Sequence, residues 1–151
     1  MAKWMRIIWG CVLMVLTIAG CSRGGSMDDP GGGGGGNNNP HVYNPQDTVP
    51  PLVEVHTPVA DQVFSSGGVI SVTGKVTDAD GLYRGSIRIT KDGSGELLKE
   101  QLYEIHGIVQ YNYSLAYTAA VTAPADYTVT VLFEDHGQNT GTRTVKVKIN
   151  P

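Results

Sequence analysis

Apolar and polar residues alternate with a period of two through much of the chain beyond residue 51. The clearest alternating runs cover residues 70–76, 87–89, 111–117, 127–133 and 145–149. Such alternation, rich in β-branched and aromatic side chains, predicts strands that bury one face. Turn-forming residues separate the runs, at 66–68, 78–81, 91–95 and 135–141. We predict about seven strands, which begin near residues 52, 69, 82, 97, 109, 126 and 142.

The fourth predicted strand fits a second kind of structure as well. Its apolar residues would line one face of a helix about as well as they fit a strand; they are Leu97, Leu98, Leu102 and Ile105. A helix there would reverse the direction of every later strand. We predict a strand over residues 97–105 and keep the helix as the alternative.

About seven short strands in roughly 100 residues are typical of an immunoglobulin-like (Ig-like) β-sandwich. The closing run ADYTVTVLFEDHGQNTGTRTVKVKI, residues 125–149, resembles the last two strands of bacterial Ig-like and fibronectin-III-like modules. Residues 52–151 contain no cysteine and no tryptophan, which excludes the disulfide and buried tryptophan of antibody domains. The resemblance implies an all-β chain with a single Ig-like sandwich over residues 52–151.

The first 20 residues have the pattern of a secretory signal peptide. Lys3 and Arg6 precede an uncharged, mostly apolar run over residues 7–19. As a helix, this run and Gly20 would extend about 21 Å, less than the ~30 Å hydrocarbon core of a bilayer. A transmembrane anchor is therefore the weaker interpretation of residues 1–20.

The signal peptide ends in Ile18-Ala19-Gly20-Cys21, which resembles the bacterial lipobox. The resemblance implies cleavage before Cys21 and diacylglycerol on its sulfur. Each buried CH₂ of an acyl chain contributes roughly 0.8 kcal/mol, and two or more chains anchor a protein stably. We therefore expect lipidation at Cys21 to hold the protein on a membrane.

Residues 21–51 are rich in glycine, asparagine and proline and nearly free of aliphatic side chains. Such a segment cannot bury enough apolar surface to offset its ordering entropy, so we predict a lipidated, flexible linker. Its glycine run at 31–36 lacks the flanking strand and helix of a phosphate-binding loop. Asp28-Asp29 resembles an acidic export tag of Gram-negative lipoproteins, which implies the cell envelope and its outer membrane, with the periplasmic and surface faces both open.

Charge and chemistry argue against nucleic-acid binding and catalysis. The chain has a net charge of −3, and loss of Lys3 and Arg6 with the signal peptide leaves nine basic and 14 acidic residues, a net charge of −5. No basic patch for nucleic acid is therefore expected. The four histidines lack the spacing of zinc ligands, and no Gly-x-Ser-x-Gly elbow is present, so we expect no enzyme.

Three aspartates form a candidate metal site. In an Ig-like topology the loop after the second predicted strand and the last hairpin lie at one end, which brings Asp78 and Asp80 towards Asp135. Carboxylate oxygens are the ligands that calcium favours. The alternative is that these aspartates only form turns by accepting hydrogen bonds from their own backbone. No other cofactor is expected.

The sequence favours a lipid-anchored envelope protein whose non-catalytic Ig-like domain binds a protein or a glycan, or acts as a spacer. The alternative is an accessory or inhibitory subunit of an envelope enzyme or transport complex. Because the first predicted strand begins at the linker, strand parity places residues 78–81, 106–108 and 136–140 near the membrane. The opposite end then carries residues 60–68, 92–95 and 118–125 and is the expected contact surface for a partner.

The anchor can be tested on protein extracted from membranes. Both tryptophans, Trp4 and Trp9, lie in the signal peptide, so the mature protein should show only tyrosine-like fluorescence. Its intact mass should include lipid on Cys21, and Cys21→Ser should release or stall the protein. Tryptophan emission from the purified membrane form would contradict this prediction.

Overall fold

The computed structural model describes residues 43–151, and within that range it contains eight strands and no helix. The strands are β1 (Leu52–Thr57), β2 (Gln62–Ser65), β3 (Val69–Thr77), β4 (Leu82–Lys91), β5 (Leu97–Glu104), β6 (Gln110–Thr118), β7 (Ala125–Asp135) and β8 (Thr140–Asn150). No helix within residues 43–151 is long and apolar enough to cross a membrane. The predicted signal peptide, Cys21 and the linker up to residue 42 lie outside the described residues.

The strands form two sheets that pack face to face. One sheet has the order β1-β3-β6, and the other has the order β2-β8-β7-β4-β5. Neighbouring strands are antiparallel except β2 and β8, which are parallel. The predicted all-β, Ig-like sandwich is confirmed. Residues 97–104 form β5, so the helical alternative for that segment is wrong.

Strand β2 is the element that the sequence analysis missed. We assigned residues 60–68 to a loop, but four of them pair with the last strand, from Gln62 opposite Val147 to Ser65 opposite Asn150. The backbone N–H of Asp61 also donates to the carbonyl of Lys146, at 2.8 Å. A four-residue strand carries too short a pattern to be recognised by itself, and it forms here because an edge of β8 is available to it.

Two aromatic rings form the centre of the core, and each lies over a glycine of the neighbouring strand. Phe133 on β7 pairs with Gly85 on β4, and Tyr113 on β6 pairs with Gly74 on β3. A Cβ atom at either glycine would collide with the ring of its partner. The two rings meet between the sheets, with 5.4 Å between their centroids.

Tyr113 also connects three strands of one sheet. Its ring crosses Gly74 on β3, and its hydroxyl donates a 2.6 Å hydrogen bond to the carbonyl of Glu54 on β1. Burial raises the pKa of Tyr113 well above its ordinary value, so the phenol stays neutral and can donate at any physiological pH. The hydrogen bond therefore links the first strand to the core.

The ring-over-glycine arrangement predicts that Gly85→Ala is strongly destabilising. The added methyl group must displace the Phe133 ring, and overpacking of this kind costs about 1–3 kcal/mol of unfolding free energy. Ser86→Ala, at the next residue on the outward side of β4, should change stability by less than about 0.5 kcal/mol. Urea denaturation measures both, and equal effects would contradict the proposed packing.

Candidate metal centre

Three turns meet at the end of the sandwich where β1 begins, and we call this end the base. They are the β3–β4 turn (residues 78–81), the β5–β6 turn (105–109) and the β7–β8 turn (136–139). The backbone N–H of Gly107 donates to the carbonyl of Leu82, and the N–H of Leu82 donates to the carbonyl of Ile108, at 2.8 and 2.9 Å. The structure thus brings together the turns that strand parity placed at the end nearest the linker.

Residues 43–51, which we assigned to the linker, lie against the base. The backbone N–H of Asn44 donates to the carbonyl of His136, at 2.9 Å. The Asn139 side-chain amide donates to the carbonyl of Asp47, at 3.1 Å. Asp47 is only 6% exposed as a result. We call residues 43–51 the entry segment.

The entry segment adds a third carboxylate to two that the sequence analysis had selected. Asp47, Asp78 and Asp135 are all buried, and each offers a carboxylate oxygen within 4.8 Å of the other two. Asp80, the third residue of the predicted site, is exposed and does not belong to this cluster. Its backbone N–H instead donates to Asp78 Oδ1, at 3.0 Å.

Hydrogen bonds orient two of the carboxylates firmly. Asp78 Oδ1 accepts from the backbone of Asp80 and Gly81, so Asp78 also forms the turn that we considered as the alternative. Asp135 Oδ1 accepts from the backbone of Asn139, and its Oδ2 accepts from the Asn139 side chain, at 2.9 and 3.0 Å. Asp78 and Asp135 therefore both accept hydrogen bonds within their turns and belong to the acidic cluster.

Asp47 is satisfied on only one of its two oxygens. Oδ1 accepts a 3.1 Å hydrogen bond from the backbone of Val49. Oδ2 is buried and has no hydrogen-bond partner among residues 43–151. A buried carboxylate oxygen without a donor is costly, and such an oxygen beside two further carboxylates is the feature that a bound cation would resolve.

The electrostatics of the centre disfavour three negative charges without a counterion. Burial is the main cause that raises the pKa of Asp78, and the charges of Asp47 and Asp135 raise it further. The backbone hydrogen bonds from Asp80 and Gly81 act in the opposite direction. The three residues could hold a divalent metal ion through oxygen ligands alone.

The base also contains an aromatic cluster that the sequence analysis did not anticipate. The rings of His106 and His136 both pack against Tyr83, with centroid distances of 5.0 and 5.1 Å. Sequence spacing could not reveal this cluster, because the two histidines come from different turns. Next to it, Arg84 forms a hydrogen-bonded ion pair with Glu134, at 2.9 Å.

The raised pKa of Asp78 predicts a pH dependence in the presence of a chelator. A carboxyl whose pKa is raised by folding binds more protons in the folded state, so it destabilises the fold above that pKa. As the pH falls towards the ordinary value of 3.8, the wild type should gain stability relative to Asp78→Asn. Thermal unfolding of both proteins between about pH 7 and pH 4 measures this difference in stability. A difference that stays constant over this pH range would contradict the prediction.

No family model and no curated protein matches this chain. Solved structures that are similar to it include the fibronectin(III)-like modules of CbhA from Clostridium thermocellum, at 19% identity and a TM-score of 0.40. That match covers 68% of this chain and 46% of the other, so the chain spans about half the length of the CbhA structure. A second similar structure is the CARDB domain of a Pyrococcus furiosus protein, solved in complex with di-metal ions; its sequence is 14% identical to this chain, with a TM-score of 0.38. It covers 70% of this chain and 97% of that one.

Proposed function

We propose that this chain is a lipid-anchored, non-catalytic protein of the cell envelope whose Ig-like domain binds a protein or a glycan. We further propose that Ca²⁺ at Asp47, Asp78 and Asp135 fixes the domain to the segment that leads to the anchor. One observation carries the calcium joint. Asp47, on the entry segment, is buried beside two carboxylates of the domain and keeps an oxygen without a donor.

Calcium is the cation that best suits this centre. All three side chains supply hard oxygen ligands, and Ca–O distances of about 2.3–2.6 Å place oxygens on opposite sides of the ion about 5 Å apart. The carboxylate oxygens, which lie within 4.8 Å of one another, fit that span. Mg²⁺ keeps several of its waters and is usually bound through one or two carboxylates, so a centre of three carboxylates favours calcium. Backbone carbonyls and water would complete the 6–8 ligands of calcium.

The bound ion would act as a joint between the entry segment and two turns of the domain. Asp47 precedes β1, Asp78 follows β3, and Asp135 ends β7. Without the ion, the entry segment is held by hydrogen bonds such as those from Asn44 and Asn139, and the three carboxylates repel one another. With the ion, the three carboxylates are all attracted to the same positive charge. The domain then keeps a fixed orientation relative to the segment that leads to the anchor.

The end opposite the base supplies a surface that suits a polar partner. A groove of about 290 Å³ lies there between the β2–β8 edge and the β4–β5 turn; its lining residues include Asp61, Val63, Asp92, Asp126, Lys146 and Lys148. Lys146 pairs with Asp92 and Lys148 pairs with Asp126, at 3.3 and 3.7 Å. Both signs of charge thus line the groove, which supports a peptide or a glycan as the partner.

The calcium joint predicts a thermal shift that depends on Asp47. Calcium at 100 times its Kd should raise the Tm of the full-length mature protein by roughly 10 °C. Asp47→Asn should abolish the shift and also raise the Tm in chelator, because an amide N–H replaces the oxygen that lacks a donor. Differential scanning calorimetry with calcium or EDTA measures both effects.

Asp80→Asn is the matched control, because Asp80 belongs to the same turn as Asp78 but is exposed and lies outside the cluster. It should keep the full calcium shift. A wild type whose Tm is the same in calcium and in EDTA would disprove the joint. So would a calcium shift that survives Asp47→Asn.

A further inference from the structure

Exposed apolar side chains are concentrated at the base. Among residues 43–151, ten large hydrophobic side chains are exposed, and five of them lie at the base or on the entry segment. They are Tyr43, Val49, Leu52, Ile108 and Val109, with exposed fractions of 52, 68, 52, 39 and 57%. The last four of these form what we call the basal patch. Single exposed apolar residues are ordinary, but a group at one end of a small domain indicates a contact surface.

The basal patch lies on both sides of the β3–β4 turn, because β1 and β6 pair with opposite edges of β3. Val49 and Leu52 line a shallow depression of about 360 Å³ together with Thr77, Asp78 and Ala79. On the other side of this turn, the backbone N–H of Asp78 donates to the carbonyl of Val109, at 2.9 Å. Ile108 precedes Val109 in the same turn. Aliphatic side chains therefore surround the turn that carries one of the buried carboxylates.

The length of chain between Cys21 and the base bears on what covers this patch. Tyr43 lies at the base, and only 21 residues lie between it and Cys21. With Cys21 lipidated and the linker flexible, as the sequence predicts, a chain of that length would have an r.m.s. span of about 26 Å and would keep the base close to the membrane surface. Tethering also raises the effective concentration of the surface to the millimolar range, so a small patch is sufficient for docking.

We propose that the basal patch docks on the lipid bilayer that holds the acyl chains of Cys21, an inference that rests on the proposed lipid anchor. The four aliphatic side chains enter the headgroup boundary. Tyr43 lies elsewhere at the base, against His136 and Gln138, and tyrosine is a residue that this boundary favours. Asp80 and Glu104 are exposed near the same end, so the chemistry fits a zwitterionic surface better than a strongly anionic one. Docking directs the opposite end, with its polar groove, away from the membrane.

The test uses the full-length mature lipoprotein in phosphatidylcholine vesicles whose acyl chains carry bromine. Cys11 is lost with the signal peptide and Cys21 is lipidated, so a new cysteine is the only free thiol. Val109→Cys and Val63→Cys are matched variants, because both valines are 57% exposed and Val63 lies on β2 near the opposite end. Each is labelled with bimane, and quenching by the brominated lipid is measured.

We expect the bimane at position 109 to lose most of its fluorescence and the bimane at position 63 to lose little. A vesicle-bound protein with equal, weak quenching at both positions would overturn membrane docking and leave a protein partner as the occupant of the patch. If the intact mass shows no lipid and the protein fails to float with the vesicles, the proposed anchor is wrong, and the proposed docking is wrong with it. The two failures are therefore distinguishable.

Discussion

The contact between Tyr113 and Phe133 sets the distance and the register of the two sheets. Each ring lies over a glycine of the adjacent strand, Gly74 for one and Gly85 for the other, and this leaves room for both rings in one layer. Because close-packed interiors tolerate few voids, the sheets cannot slide without exposing a ring or opening a cavity. The large aromatic side chains thus replace, at the centre of the sandwich, the disulfide that the domain lacks.

The acidic centre at the base depends on this register. Asp135 is the last residue of β7, two residues after Phe133, and Asp78 directly follows β3, on which Gly74 lies. The sheets therefore hold the two carboxylates in place before the entry segment adds Asp47. The only part of the centre that the sandwich does not fix is the part contributed by the entry segment. The centre is therefore complete only when the entry segment packs against the base.

The sequence contains enough information for seven of the eight strands and for two of the three carboxylates of the centre. Clear period-two alternation marks β3, β4, β6, β7 and β8, while β1 and β5 were predicted from weaker patterns. The expected topology brought Asp78 and Asp135 to one end. Two features depend on tertiary contacts that no local pattern records. Strand β2 forms only because an edge of β8 accepts it, and Asp47 is buried only because Asn139 and His136 hold the entry segment. In the sequence, nothing indicates that Asp47 lies beside Asp78 and Asp135.

Because Asp47 is buried beside Asp78 and Asp135, the part of the chain that forms the acidic centre begins before the first strand. A fragment that starts at Leu52 would retain all eight strands and the aromatic centre of the core. Spectroscopy would therefore not distinguish it from the intact domain. It would nevertheless lack one carboxylate of three, together with Val49 from the basal patch. Domain boundaries drawn from secondary structure would therefore yield a fragment that lacks a residue of the proposed calcium joint and a residue of the proposed docking surface.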